Sequence, residues 1–300
     1  MLHLQRTSLF LLLALLFGCT TTPPVAEAPP VPAPPPPVAK PVPPKIALVL
    51  GGGAARGFAH IGVIKVLEAQ GITPDIVVGT SAGSVVGALY AGGYSGFDLQ
   101  KIAFQLDESS VGDLVLPNRG FVKGELLQDF VNKALQNRPI EKLNKTFAAV
   151  TTDLQSGDMM VFRRGNAGMA VRASSSIPGV FQPVSINGRE YVDGGLVSPV
   201  PVRVARSLGA DVVIAVDISN KPRNAKISDS LDVLLQTFAI MGQTISGFEL
   251  SEVDVVIRPH TGMIGAAEFE AKHLAILEGE KAAQAALPAI RRELLKKTGK

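Results

Sequence analysis

From Lys45 onward the chain alternates short apolar runs that end on glycine with longer stretches whose apolar residues recur at helical spacing. Residues 46–50, Ile-Ala-Leu-Val-Leu, are unbroken apolar and are closed by Gly51-Gly52-Gly53. That is the pattern of a strand buried on both faces of a parallel sheet. Over residues 58–70, Ile61, Val63, Ile64, Val66 and Leu67 predict a helix, and Gly71 supplies its stop. Residues 76–78 predict the next strand, which runs into Gly79-Thr80-Ser81-Ala82-Gly83 and an apolar helix through Tyr90. Strand, glycine turn, helix, repeated twice, opens a doubly wound α/β fold with a mostly parallel central sheet and helices on both faces. Further strands are predicted at 147–152, 159–162, 211–216 and 253–257. Further helices are predicted at 125–135, 201–208, 231–245 and 268–287. Residues 93–118, with Phe97, Leu99, Ile102 and Phe104, read either as core packing or as a cap over a binding site.

The first 44 residues follow another pattern. Arg6 precedes a nine-residue apolar run at 9–17, too short for a bilayer span of roughly 20 residues but suited to a secretory signal. The run ends at Leu16-Phe17-Gly18-Cys19, and Cys19 is the one cysteine of the chain. This resembles a bacterial lipoprotein cleavage box, with Phe17 where a small residue is usual. The resemblance implies a signal peptide over 1–18, acylation of Cys19 and a membrane anchor. Thr20 rather than Asp follows, which implies the outer membrane, facing the periplasm. Residues 23–44 hold 12 of the 22 prolines and predict an extended spacer, so that 19–44 is a lipid-anchored linker and 45–300 the folded domain.

Composition narrows the function. The chain has 29 Lys plus Arg against 26 Asp plus Glu, without a basic stripe, so nucleic acid is not an expected partner. With 46% apolar and 18% charged residues a sizeable core is expected. A lone cysteine excludes both an internal disulfide framework and a cysteine zinc site.

Three chemistries compete for the loop Gly51-Gly52-Gly53-Ala54-Ala55-Arg56-Gly57. A phosphate-binding P-loop needs Lys after its second glycine, and Phe58 stands there. A dinucleotide loop needs a glycine where Arg56 stands. The third is an oxyanion hole of backbone N–H groups at a helix start, with Arg56 adding charge or locking the loop; taken alone, the loop reads equally as a tight turn. Gly79-Thr80-Ser81-Ala82-Gly83 supplies a matching nucleophile, since G-x-S-x-G between strand and helix is the nucleophile elbow. Ser81 then needs a base. His60, His260 and His273 are available after the signal segment, and so are Asp153, Asp193 and Asp217. Residue chemistry alone does not choose among the aspartates, although Asp193, in Tyr191-Val192-Asp193-Gly194-Gly195, could approach another loop closely.

The glycine loop, the elbow and Asp193-Gly194-Gly195, in that order, resemble the bacterial patatin-like phospholipases of the branch related to neuropathy target esterase. Residues 173–183 (Ala-Ser-Ser-Ser-Ile-Pro-Gly-Val-Phe-Gln-Pro) and 198–201 (Ser-Pro-Val-Pro) are similar to the family as well. The likeness covers about 45–220. Ala54 departs from it, standing where the family has glycine. The resemblance implies a three-layer α/β/α patatin-like fold and a Ser81–Asp193 dyad without histidine. It also implies an oxyanion hole from Gly52, Gly53 and Ala54 supported by Arg56, with no metal or cofactor. The implied substrate is a phospholipid or lysophospholipid. Two rivals remain open: a thioesterase or deacylase with a Ser-His-Asp triad, and a non-catalytic lipid-binding lipoprotein.

Overall fold

The computed structural model describes residues 43–106, 121–219 and 227–298. The expected signal peptide, Cys19 and most of the proline-rich linker lie outside the described residues, as do residues 107–118 of the stretch read as a possible cap.

Eight strands form one sheet: β1 (Ile46–Leu50), β2 (Ile76–Thr80), β3 (Thr146–Asp153), β4 (Met159–Phe162), β5 (Val184–Ile186), β6 (Arg189–Asp193), β7 (Val212–Val216) and β8 (Val255–Ile257). Hydrogen bonding runs in the order β5-β6-β3-β2-β1-β7-β8, with β4 also paired to β3. The pairs β3–β2, β2–β1, β1–β7 and β7–β8 are parallel; β4, β5 and β6 are antiparallel to their neighbours. The helices are α1 (Ala59–Ala69), α2 (Ala82–Ala91), α3 (Gly96–Gln105), α4 (Glu125–Ala134), α5 (Ala167–Ser174), α6 (Val202–Ser207), α7 (Ser230–Glu249) and α8 (Lys272–Thr298).

The wholly apolar strands bury both faces, and alternate residues serve opposite layers. Leu48, Leu50, Val77, Phe147 and Ile214 pack with α1, α2 and α8 on one side. Ala47, Val49, Val78, Val150 and Val213 pack with Val202, Val204 and Ala205 of α6 on the other. The result is the expected three-layer α/β/α fold with a mostly parallel sheet. Between α1 and α8 the backbones touch. A Cβ on Gly62 would sit 2.0 Å from the Ile276 carbonyl oxygen, and one on Gly279 would sit 2.0 Å from that of Ala59.

Element boundaries differ from the sequence expectation mainly where tertiary packing decides. The last helix was expected to stop at residue 287, before Pro288, yet α8 continues through Pro288 to Thr298 and buries Ile290. Helix α5 and strand β5 were not expected at all. Helix α3 buries Leu99 and Ala103 in the main core but leaves Phe97 and Phe104 exposed, and none of its residues lines the Ser81 cleft.

The first connection leaves β1 toward β2, whereas β7 joins the opposite edge of β1. The strand order therefore reverses at β1, and open α/β sheets bind ligands at the carboxyl ends of strands at such a point. The glycine loop leaves β1 there.

Candidate active site

Strand β2 delivers Ser81 to the carboxyl end of the sheet. Ser81 has φ 54° and ψ −126°, in a region L-residues avoid at a cost of about 1–3 kcal/mol. Neighbours hold it there. Its amide donates to Ser174 Oγ at 2.9 Å, and that hydroxyl donates to the Val150 carbonyl at 2.6 Å. Its carbonyl accepts the Ser84 hydroxyl at 2.7 Å and the Ser84 amide at 2.8 Å. Both elbow glycines are demanded by contact: a Cβ on Gly79 would lie 2.4 Å from the Gly83 oxygen, and one on Gly83 2.0 Å from the Leu50 oxygen.

Strand β3 acts as the ruler that brings Asp193 to Ser81. Thr80 of β2 lies opposite Val150, and Asp193 of β6 lies opposite Thr151. Strand β4 pairs with residues Ala149–Thr152 and occupies the other edge. Strands β2 and β6 therefore meet end to end along one edge of β3, one residue apart in register. The Asp193 backbone is fixed by its amide to the Ser176 oxygen at 2.9 Å and by Thr152 Oγ1 donating to its carbonyl at 2.8 Å. Its carboxylate accepts the Gly195 amide at 2.7 Å, and Ser81 lines the same cleft beside it. Asp193 is only 6% exposed. Burial pushes its carboxyl up to about 6, against the opposing pull of the neighbouring Ser81 side chain and the Gly195 amide.

In the glycine loop the amides divide into two sets. Gly51 donates to the Val216 oxygen at 3.1 Å, Gly52 to that of Pro199 at 3.0 Å and Ala55 to that of Ala266 at 3.0 Å. The Gly52 amide, expected in the oxyanion hole, is thus committed to the protein because the 198–200 segment runs alongside it. Among the described residues the amides of Gly53 and Ala54 have no acceptor, and both residues line the cleft that holds Ser81. Ala54 has φ 50°, which explains the glycine preference at that place. Arg56 is buried; its Nε donates to the Ile218 oxygen at 3.0 Å and its guanidinium also reaches the Ile264 oxygen at 3.4 Å. It ties the loop to the segments that follow β7 and β8, while burial lowers its basicity.

The other candidate bases are elsewhere. His60 is fully buried behind the loop with Nε2 2.9 Å from the Gly51 oxygen, and burial pulls it down to about 4, so it is neutral. His260 and His273 are exposed, and His273 stacks on Phe104. Asp153 is paired with Arg189 and accepts the Gln155 and Ser156 amides, which hold it well below the usual range. Asp217 accepts from Ser219 and Arg258. No histidine lines the Ser81 cleft among the described residues. Nor do these contain a group of three or more His, Cys, Asp or Glu side chains placed to hold a metal ion.

The sequence reading missed a support relay. Thr80 Oγ1 donates to the Ser198 carbonyl at 2.8 Å, Gly52 donates to that of Pro199, and the Val200 amide donates to Glu249 Oε2 at 3.0 Å. The Ser198 hydroxyl also donates to Glu249. Residues 198–200 thereby join elbow, glycine loop and the end of α7. Burial pushes Glu249 up to about 7, partly offset by the Ser198 and Val200 hydrogen bonds. A lone acid ending an apolar helix was the only available signal for it. Ser174 carried none beyond its place in the Ser-rich stretch 174–176.

The cleft has a volume of about 480 Å³. Ser81, Asp193 and Arg56 lie in it, and Ile177, Leu196, Leu235, Phe238 and Ala239 give it apolar walls. A nucleophile, an adjacent carboxylate base, free amides and an apolar trough can together cleave an ester carrying an acyl chain.

Residues 48–206 match the family model described as patatin-like phospholipase. Patatin-like phospholipase domain-containing protein 6 of Mus musculus is 38% identical over 184 residues, which are 59% of this chain and 14% of that protein. An uncharacterized NTE family protein of Mycobacterium tuberculosis, Rv2565, is 31% identical over 271 residues, 81% of this chain and 46% of that one. The chain thus spans less than half the length of either relative. Among solved structures, VipD from Legionella pneumophila aligns over 82% of this chain and 67% of its own at 16% identity, with a TM-score of 0.49.

Proposed function

The chain belongs to the patatin-like phospholipase family, and from that premise we propose that it hydrolyses lipid esters with a Ser81–Asp193 dyad. One observation carries the reading: Ser81, at the strained elbow, and the buried Asp193 carboxyl, pushed up to about 6 by burial, line the same apolar cleft, which no described histidine lines. A carboxyl near 6 is mostly ionised at neutral pH yet basic enough to accept a proton in the transition state.

Asp193 takes the Ser81 proton as Oγ attacks the ester carbonyl. The amides of Gly53 and Ala54 receive the oxyanion, with the positive end of α2 behind Ser81. The tetrahedral species collapses as protonated Asp193 gives its proton to the leaving alcohol. Asp193 then removes a proton from water, which attacks acyl-Ser81, and returns that proton to Ser81 Oγ as the acyl–oxygen bond breaks and the carboxylic acid leaves. Arg56 and the 198–200 segment keep the glycine loop in register. The trough beside α7 suits the acyl chain of a phospholipid or lysophospholipid.

Acylation of Cys19 would place this chemistry at the cell envelope, anchored to the outer membrane on its periplasmic side. Palmitate incorporation that is lost in Cys19→Ala supports that arrangement; incorporation unchanged by the substitution rejects it. The catalytic reading is tested by a fluorophosphonate probe and peptide mapping. A single adduct at Ser81, absent in Ser81→Ala, is expected. An adduct on another serine, or none together with no ester hydrolysis, refutes the reading.

A further inference from the structure

Helix α7 is twenty residues long and buries only Ser246 and Glu249. One side of it walls the cleft through Leu235, Phe238 and Ala239. The rest carries Val233, Ile240, Met241 and Phe248 in solvent, with Ile240 51%, Met241 52% and Phe248 68% exposed. No ionisable residue occurs between Asp232 and Glu249. At the cleft rim Ile227 and Met263 are also exposed, Met263 by 75%. Scattered exposed apolar side chains need no explanation, but a continuous uncharged surface beside a binding cleft does.

We propose that this face of α7, with Ile227 and Met263, docks in the plane of a phospholipid bilayer, so that the cleft mouth opens into the lipid from which substrate is drawn. The substrate half of the inference rests on the lipid-ester reading above; the docking half rests on the surface itself. Three features favour lipid over protein as the occupant. The face carries no charge or salt-bridge partner of the kind that orients a protein interface. No described helix is long and apolar enough to cross a membrane, so α7, about 30 Å long, is suited to lie in the interface rather than span it. The apolar walls inside the cleft and the apolar face outside it belong to one helix. Between Leu235 and Gln243 the α7 wall of the cleft carries no charge, and Asp232 stands at its N-terminal end. With Cys19 acylated as proposed above, the proline-rich sequence between it and Pro43 would reach about 70 Å if fully extended at ~3.1 Å per residue, ample for a tethered domain to lay this face on its own membrane.

The test uses the full chain carrying Cys19→Ser and Ile240→Cys, so that residue 240 holds its only thiol, labelled with an environment-sensitive fluorophore. On vesicles of phosphatidylethanolamine and phosphatidylglycerol the emission should shift to the blue and be quenched by brominated acyl chains. A label placed instead at Lys281→Cys should remain aqueous. In parallel, Ile240→Glu with Met241→Glu should lower hydrolysis of vesicle phospholipid by about tenfold or more and leave a soluble short-chain ester within about twofold. A label at 240 that stays aqueous on vesicles overturns the proposal. So does one already shielded without vesicles, whether in proportion to protein concentration, as for a second copy, or independently of it, as for a segment of the same chain. If no ester is hydrolysed by any variant the catalytic reading fails, while the fluorescence still decides the docking.

Discussion

Two apolar helices border the same cleft and meet opposite fates. Helix α2 buries seven of its ten residues, and Gly83 at its start touches the end of β1 so closely that no side chain fits. Helix α7 buries two of twenty, although no ionisable residue interrupts it between Asp232 and Glu249. Apolarity in the chain states that a surface needs a partner; it does not state which. For α2 the partner is the sheet. For α7 the described residues leave the open face uncovered. Ser81, the proposed nucleophile, caps the buried helix, and the apolar cleft wall belongs to the exposed one.

Substitutions along these two helices should separate them in order of effect. Gly83→Ala forces a Cβ to 2.0 Å from the Leu50 oxygen and is expected to destabilise the fold by more than about 4 kcal/mol in urea unfolding, or to prevent folding. Ser174→Ala strips the buried Ser81 amide of its acceptor. A loss of about 1–3 kcal/mol is expected, with kcat lowered more than KM is raised, because the elbow loosens without touching the substrate wall. Glu249→Gln probes the relay through residues 198–200 that joins the elbow to the end of α7. Burial raises Glu249 above its value in the unfolded chain, so the stability it contributes is full below about pH 4.5 and declines as pH rises through about 7. The Gln variant should therefore gain Tm relative to the wild type as pH is raised from about 5 to 8; a constant difference would show that Glu249 does not titrate in that window. Ile240→Gln, on the open face of α7, should change stability by less than about 0.5 kcal/mol, and a larger loss would mean the face is covered within the protein.

Much of this was legible in the residues. Glycine-closed apolar runs marked β1, β2 and their helices because parallel strands leave no polar face, and G-x-S-x-G between a strand and a helix marked Ser81. The choice of Asp193 over Asp153 and Asp217 came from family likeness, since all three end strands or turns; only the register on β3 shows why Asp193 alone reaches the elbow. The Gly52 amide could not be assigned from sequence, because its acceptor, Pro199, is 147 residues away along the chain. Ser174 and Glu249 act through contacts of the same long range. The predicted helix over 268–287 was too short at its end: α8 runs on through Pro288, and Ile290 is buried against the core.

The account stands on Asp193 as the base. Hydrolysis of a short-chain ester by Asp193→Asn should be compared with that of the double variant His260→Ala, His273→Ala, over a pH series. The dyad predicts a loss of about 10³-fold or more in Asp193→Asn. It predicts the double-histidine variant within about twofold of the wild type, with kcat/KM rising through a midpoint near 6 in both the wild type and that variant. Retained activity in Asp193→Asn, or loss of activity and of that pH limb in the histidine variant, would contradict it.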